Sequence, residues 1–197
     1  MEIAKQLFGS ELAIDHSTYD HKAQAVVYAQ NRSAVINLLV LCDWLYPVFQ
    51  SQVTPDRKGD TSVESKLFSA VTGLDITEAE LNRIGERVWN LMRSIAVLEG
   101  QTREKDTLHA SYFQTIQEPE QKSVRAKELF LRPPIWEKKG SMPVLKAVPK
   151  EAFEKAKDEY YMLRGWDIGT GWPTGDKLRE LGLEEVAKKL FERGLLP

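Results

Sequence analysis

The chain has 197 residues, 42% hydrophobic and 28% charged, with 27 basic against 29 acidic side chains. That length supports one sizeable core or two small ones, and a formal charge of -2 gives no overall attraction to nucleic acid or to an anionic membrane surface. No apolar window approaches the roughly 20 residues needed to cross a bilayer. The opening MEIAKQLFGSELAIDHS carries Glu2 and Glu11 where a leader needs a basic and then an apolar stretch, so a cytoplasmic chain is expected. A single cysteine, Cys42, excludes an intramolecular disulfide and any complete thiolate metal site built from this chain alone.

The first periodic region runs from His21 to Gln50. It reads as two helices, HKAQAVVYAQN and SAVINLLVLCDWLYPVF, the second limited by Pro47, forming a largely buried hairpin. The polar stretch QSQVTPDRKGDTS reads as a surface loop, and VESKLFSAVTG as a short amphipathic piece. Thr77 then opens the most clearly marked helix. Thr77 and Glu80 have the spacing of a reciprocal capping box, and Ile76 and Leu81 that of a hydrophobic staple. Leu81, Ile84, Val88, Leu91, Ile95 and Leu98 recur at helical spacing up to Gly100, which predicts a helix from about 78 to 99 with that row as its apolar stripe.

Residues 101 to 148 hold Pro119, Pro133, Pro134, Gly140 and Pro143 and form a long irregular segment, in which ELFLRPPIWEKKGSMPVLK contributes at most short extended pieces. Pro149 suits a first helical position, and KEAFEKAKDEYYMLRG predicts a helix with Phe153, Ala156, Tyr160 and Leu163 as its stripe and Gly165 as its stop. A Gly/Trp turn and two short helices broken at Gly182 complete a mainly α chain.

Candidate chemistry is sparse. A lone cysteine on an apolar helical face is first an inert core thiol, and Cys42 near a helix end gains nothing from the dipole as a nucleophile. His16, His21 and His109 lack metal-ligand spacing and read as surface or loop residues. RGWDIGTGWPTG matches neither phosphate-binding glycine pattern and reads as a tight reversal with two packed tryptophans; Tyr160 and Tyr161 read as core. Glu86, Arg87 and Arg93 read as a snorkelling or paired surface row, and Lys138, Lys139, Lys146 and Lys150 as a solvated face.

Three segments taken together carry more. AVVYAQNRSAVINLLVLCDWLYP, then LFSAVTGLDITEAELNRIGERVWNLMRSIAVLEGQTREKDTLHASYF, then AFEKAKDEYYMLRGWDIGTGWPTGDKLRELGLEEVA resemble, in order and spacing, the C-terminal part of the tungsten-containing aldehyde ferredoxin oxidoreductase family. The resemblance covers about residues 4 to 190. It implies a mainly α fold of helical domains, and it treats 1–197 as one C-terminal helical region with sub-lobes 1–72 and 73–197.

In that family a D-x-x-G-L-C motif at this position closes a pterin and iron–sulfur site. The resemblance therefore assigns Asn37, Leu41 and Cys42 to cofactor binding, with Cys42 as the metal ligand, the fourth to a [4Fe–4S] cluster beside a tungsten (or molybdenum) bis-pyranopterin. Leu41 and Cys42 match the motif. Asn37 stands where the family has Asp, which removes a carboxylate charge, and Val40 stands where it has Gly, a position of close approach or positive φ. The family's other cluster cysteines, a C-x2-C-x3-C stretch, lie upstream of the matched part.

The chain is accordingly expected to begin in mid-domain, to bind no cofactor alone and to be inactive alone. No catalytic residue is assigned to it. The complete enzyme implied is an oxidoreductase that turns aldehydes into carboxylic acids and passes electrons to ferredoxin. Its partners are the upstream region, ferredoxin, an aldehyde substrate and, where apolar residues from Leu38 to Leu45 need cover, a second copy. The alternative is a non-catalytic helical domain that keeps the fold and serves partner binding.

Overall fold

The computed structural model describes residues 2–15, 18–42, 51, 54–55, 59–114, 116–117, 136–139, 142–145 and 147–197. The helices are α1 (Glu2–Phe8), α2 (Lys22–Leu38), α3 (Val63–Thr72), α4 (Glu78–Leu98), α5 (Lys150–Arg164), α6 (Gly175–Glu180) and α7 (Glu184–Glu192). Short 3-10 turns lie at Glu11–Ile14, Arg103–Lys105 and Ala110–Phe113. The fold is mainly α, as the sequence predicts.

Within the irregular 101–148 segment three short strands pair antiparallel: β1 (Ile116–Gln117), β2 (Trp136–Lys139) and β3 (Met142–Leu145), with β3 in the middle. Pro143 lies opposite Lys138 of β2, and the described residues of β1 pair with Leu145 and Val144. The side chains of Lys138, Lys139 and Lys146 lie outside the described residues, while Lys150 is exposed.

The capping box at α4 is present as predicted. The Glu80 N–H donates to Thr77 Oγ1 (3.2 Å) and the Thr77 N–H donates back to Glu80 Oε2 (2.8 Å). The stripe is the buried face only in part: Leu81 is buried and Val88 and Leu98 are half-buried. Ile84, Leu91 and Ile95 are exposed, and what α4 buries is Leu81, Gly85, Asn90, Ser94 and Val97. Small and polar residues serve there because the partners offer polar groups. Asn90 Oδ1 accepts the Trp166 indole N–H (2.8 Å), and its amide donates to the Glu86 carbonyl (3.1 Å).

The same holds for α5. Phe153, Ala156 and Tyr160 are half-buried and Leu163 is exposed, while Tyr161 and Arg164 are the residues it buries fully. Helix α2 packs along α4 and α5, and α7 packs on α4 and α6. An apolar cluster of Val97, Leu178, Leu181, Leu183, Ala187 and Leu190 fastens the C-terminal helices to the end of α4. Fully burying one such leucine stabilises a fold by about 1.5–3 kcal/mol, so this cluster is the strongest apolar anchor among the described residues.

The Gly/Trp reversal forms as read. Trp166 bridges to Pro173, the Asp167 N–H donates to the Trp172 carbonyl (2.8 Å), and Asp167 Oδ1 accepts from the N–H and hydroxyl of Thr170. Among the described residues no helix is long and apolar enough to cross a membrane.

Candidate functional site

The predicted site residues Asn37, Leu41 and Cys42 lie at the C-terminal end of α2. The two-helix hairpin expected from His21 to Gln50 is not what forms first. α2 runs unbroken through Asn31 and Ser33 and stops at Leu38, nine residues before Pro47; residues 43–50 lie outside the described residues. Cys42 is therefore past the helix end, and it is exposed rather than an inert core thiol.

The stop is a Schellman motif. The Leu41 N–H donates to the Ile36 carbonyl (3.0 Å) and the Val40 N–H to the Asn37 carbonyl (3.3 Å), which satisfies carbonyls left free at the helix end. The motif needs a left-handed residue between the two donors. Helices α4, α5, α6 and α7 supply Gly100, Gly165, Gly182 and Gly194 there and make the same pair of bonds. Helix α2 supplies Val40, with φ 56° and 90% exposed. A β-branched residue in that region is strained, at a cost on the order of 1–3 kcal/mol, so the turn keeps a glycine's shape without the glycine.

Asn37 is exposed in the last turn of α2, and Leu41 is half-buried. Leu38, 53% exposed, and Val40 put apolar surface beside the thiol. The structure thus brings the three predicted residues onto one short turn. A [4Fe–4S] cluster is ordinarily held by four protein ligands. Among the described residues no group of three or more His, Cys, Asp or Glu is placed to hold a metal ion. The residues here fit one ligand of such a group and not a whole site.

Of the histidines, His21 caps the N-terminus of α2 with a left-handed backbone (φ 58°). His109 is an exposed loop residue whose ring meets the Ser111 hydroxyl, and His16 lies outside the described residues.

Two features hold α2, and with it the turn, in place. The first is Gly85 of α4, where the helices cross closely. The second is Arg164 of α5, fully buried, which sequence reasoning missed. Its guanidinium donates to Asn31 Oδ1 (2.6 Å) and Gln30 Oε1 (2.6 Å) and stacks over the Trp89 and Tyr160 rings. These acceptors are all neutral, and burial holds the Arg164 pKa below the usual guanidinium value despite the favourable tyrosine contact. The polar pair Gln30-Asn31, set between the apolar Val26-Val27 and Ala34-Val35, was the available signal.

Arg93 also departs from its predicted place in a surface row. It reaches inward as a forked pair to Asp106 (Nη1 to Oδ1 2.9 Å, Nη2 to Oδ2 2.5 Å) and donates to the Gly171 carbonyl (2.9 Å). Tyr161 donates its hydroxyl to the same carboxylate, and Gln101 its amide (2.7 Å). Burial pushes the Asp106 pKa up, but the bonds from Arg93, Tyr161 and Gln101 outweigh it, and the net shift is down. Burial and the Asp106 charge push the Tyr161 phenol up. Glu86 is paired with Lys177 (2.8 Å), and Arg87 caps the Gly182 carbonyl (3.1 Å).

Comparison with known proteins matches residues 2–183 to the family described as aldehyde ferredoxin oxidoreductase, domains 2 and 3. The tungsten-containing aldehyde ferredoxin oxidoreductase of Pyrococcus horikoshii is 28% identical over 185 residues, which is 93% of this chain and 25% of that protein. The protein of the same name from Pyrococcus abyssi is 28% identical over 186 residues, with the same coverage. The chain thus spans about a quarter of the length of these curated relatives. Among solved structures, a chain of the active-site complex BamBC of benzoyl coenzyme A reductase, in complex with 1,5-dienoyl-CoA, matches with a TM-score of 0.64 and 20% identity over 91% of this chain and 22% of that one. At that identity the likeness is one of fold.

Proposed function

The chain belongs to the aldehyde ferredoxin oxidoreductase family, corresponding to its C-terminal domains 2 and 3, and on that premise we propose that it is a helical domain that does no chemistry alone and serves to bind a partner. The partner is the polypeptide that carries the rest of an enzyme of this class. One observation carries the reading. Within the apolar row of α4, Ile84 (37% exposed), Leu91 (36%) and Ile95 (48%) leave apolar surface open to solvent, while the helix is fastened through its other sides. Rows of that kind mark contact surfaces. The packing of α2 against both α4 and α5 supports the lobes 1–72 and 73–197 acting as one unit.

A second reading is favoured by the 37–42 turn: the chain is the C-terminal portion of a tungsten- or molybdenum-pterin, iron–sulfur oxidoreductase in which Cys42 is the fourth ligand of a [4Fe–4S] cluster. The exposed thiol and the left-handed residue 40 support it. Asn37 would then offer its amide to a pterin, and Leu41 would support the turn from beneath. When bound, the metal centre would supply the oxidation of an aldehyde to a carboxylic acid and the cluster an exit for electrons to ferredoxin. This chain's share is to present one thiolate and to keep water from one side of the site. A cytoplasmic setting, ferredoxin as acceptor and a homodimer belong to this second reading.

Co-production with the upstream part of an aldehyde ferredoxin oxidoreductase from the same source tests both. A one-to-one complex on size-exclusion chromatography, lost when Ile84, Leu91 and Ile95 are all changed to Glu, supports docking; a chain that elutes alone in every case overturns it. Within the complex, Cys42→Ser that lowers iron supports the cluster reading, and unchanged iron removes Cys42 from the ligand set.

A further inference from the structure

Far from the 37–42 turn, helices α2, α4 and α5 part to leave a cavity of about 630 Å³, closed on one side by the loop after α4. Space is left there because each helix turns a small residue to it: Ala23 from α2, Ala96 from α4 and Ala156 from α5. The walls are aromatic, with Trp89, Phe153 and Tyr160 among them, and Val26 and Met92 leave apolar surface exposed beside them. The volume falls within the range of small-molecule sites, and apolar walls with few polar groups are their usual makeup.

The polar groups of the wall are mostly committed. The Tyr160 hydroxyl donates to Gln30 Oε1 (2.8 Å) and accepts the Trp89 indole N–H (2.8 Å), and Asp106 is engaged by Arg93, Gln101 and Tyr161. Charge is not balanced in the same way. Lys22, Arg93, Lys105 and Lys157 line the cavity against a single carboxylate, Asp106. Arg93 is paired with Asp106 and Lys157 with Glu154. Lys22 donates to the carbonyls of Leu12, Ala13 and Asp15, and Lys105 to that of Gly100. Those bonds satisfy the ammonium hydrogens; Asp15 and Asp20 also lie close enough to Lys22 to offset its charge, whereas Lys105 is bonded to a neutral carbonyl.

The geometry points to a binding site for a small amphiphilic monoanion: an aromatic or bulky aliphatic body among the alanines and rings, with its one negative group towards Lys105. The site is distinct from the turn. Val26 in the cavity wall and Leu38 at the end of α2 are 12 residues apart in one helix, which is about 18 Å along its axis. Binding here neither requires nor excludes the docking proposed above, and the test reads the purified chain alone.

The probes are 4-phenylbutyrate and its uncharged match 4-phenylbutyramide, titrated at low salt and followed by calorimetry and by the fluorescence of the tryptophans. The expected result is one saturable site for both, the acid tighter by about fivefold because exposed charge pairs add only modestly. Lys105→Gln is expected to remove that advantage and leave the amide unchanged. Ala156→Leu is expected to weaken both probes at least about tenfold by filling the space, with melting behaviour as the check on folding; Ala96→Val serves if that variant does not fold. No saturation by about 10 mM, equal affinity for acid and amide, or a folded cavity-filled variant that binds as the parent does would each overturn the assignment.

Discussion

Gly85 of α4 stands directly against Asn31 of α2, so that a Cβ at position 85 would lie 2.3 Å from the Asn31 carbonyl oxygen. The obstacle is backbone and cannot rotate away. Gly85→Ala would gain roughly 1 kcal/mol of helix propensity at an ordinary site. Here the overlap forces α2 and α4 apart, and a net loss of about 1–3 kcal/mol is expected. Urea denaturation of the purified variant checks it; a stability equal to or above the parent's would mean that the helices do not cross this closely.

At the turn the expectation has the opposite sign. Val40→Gly relieves a left-handed β-branched residue and gives up little burial, because Val40 is 90% exposed. Part of the gain is returned through the looser unfolded chain. A net stabilisation of about 0.5–1 kcal/mol should appear as a higher melting temperature, with Val40→Ala gaining less.

Arg164 has no carboxylate against it among its hydrogen-bond partners, yet its fork holds Gln30 and Asn31 at once. Arg164→Lys keeps the charge and loses the fork, so a loss of about 2 kcal/mol is expected, and more for Arg164→Ala, which leaves buried acceptors unsatisfied. Chemical denaturation of the two variants side by side separates the fork from the charge.

Asp106 ties the loop after α4 to Arg93 and Tyr161, and its folded pKa is depressed. A group of that kind adds stability above its unfolded pKa, near 3.9 for Asp, and the gain disappears as pH falls through the lower folded value. The parent should therefore exceed Asp106→Asn in stability at pH 7, with the gap shrinking below about pH 4. Melting curves of both across pH 3 to 7 measure it, and a gap independent of pH would remove Asp106 from the cause.

Cys42 is exposed. A thiol reagent such as an aromatic disulfide should titrate one equivalent from the native chain at a rate within about tenfold of that in urea. A thiol reactive only after unfolding would return it to the core.

How far the sequence could be read depended on what kind of signal each element carried. Local chemistry was legible: the Thr77 and Glu80 box and the stops at Gly100 and Gly165 all depend on residues within one turn of each other. The end of α2 was misplaced because its left-handed residue is a valine, and nothing in the spelling of NLLVLC marks it as a turn. The buried faces of α4 and α5 were read only in part, for a different reason. Apolar periodicity shows where apolar residues lie, not which side this chain covers, and the covered side of α4 meets the Asn31 backbone at Gly85 and the Trp166 indole at Asn90. Asn37, Leu41 and Cys42 were assigned only by likeness to a motif; Gly85 and Arg164, which hold α2 at Asn31, stand far along the chain from it, Arg164 by 133 positions.

The outward row on α4 divides one helix into two kinds of information. Its cap, its glycine contact and its buried Asn90 and Ser94 specify that the helix forms and where it sits. Ile84, Leu91 and Ile95 are the row's most open members, and charged residues there disturb the scaffold less than changes at Gly85 or Asn90. If the docking proposed for this face is right, selection that keeps them apolar acts on assembly rather than on folding.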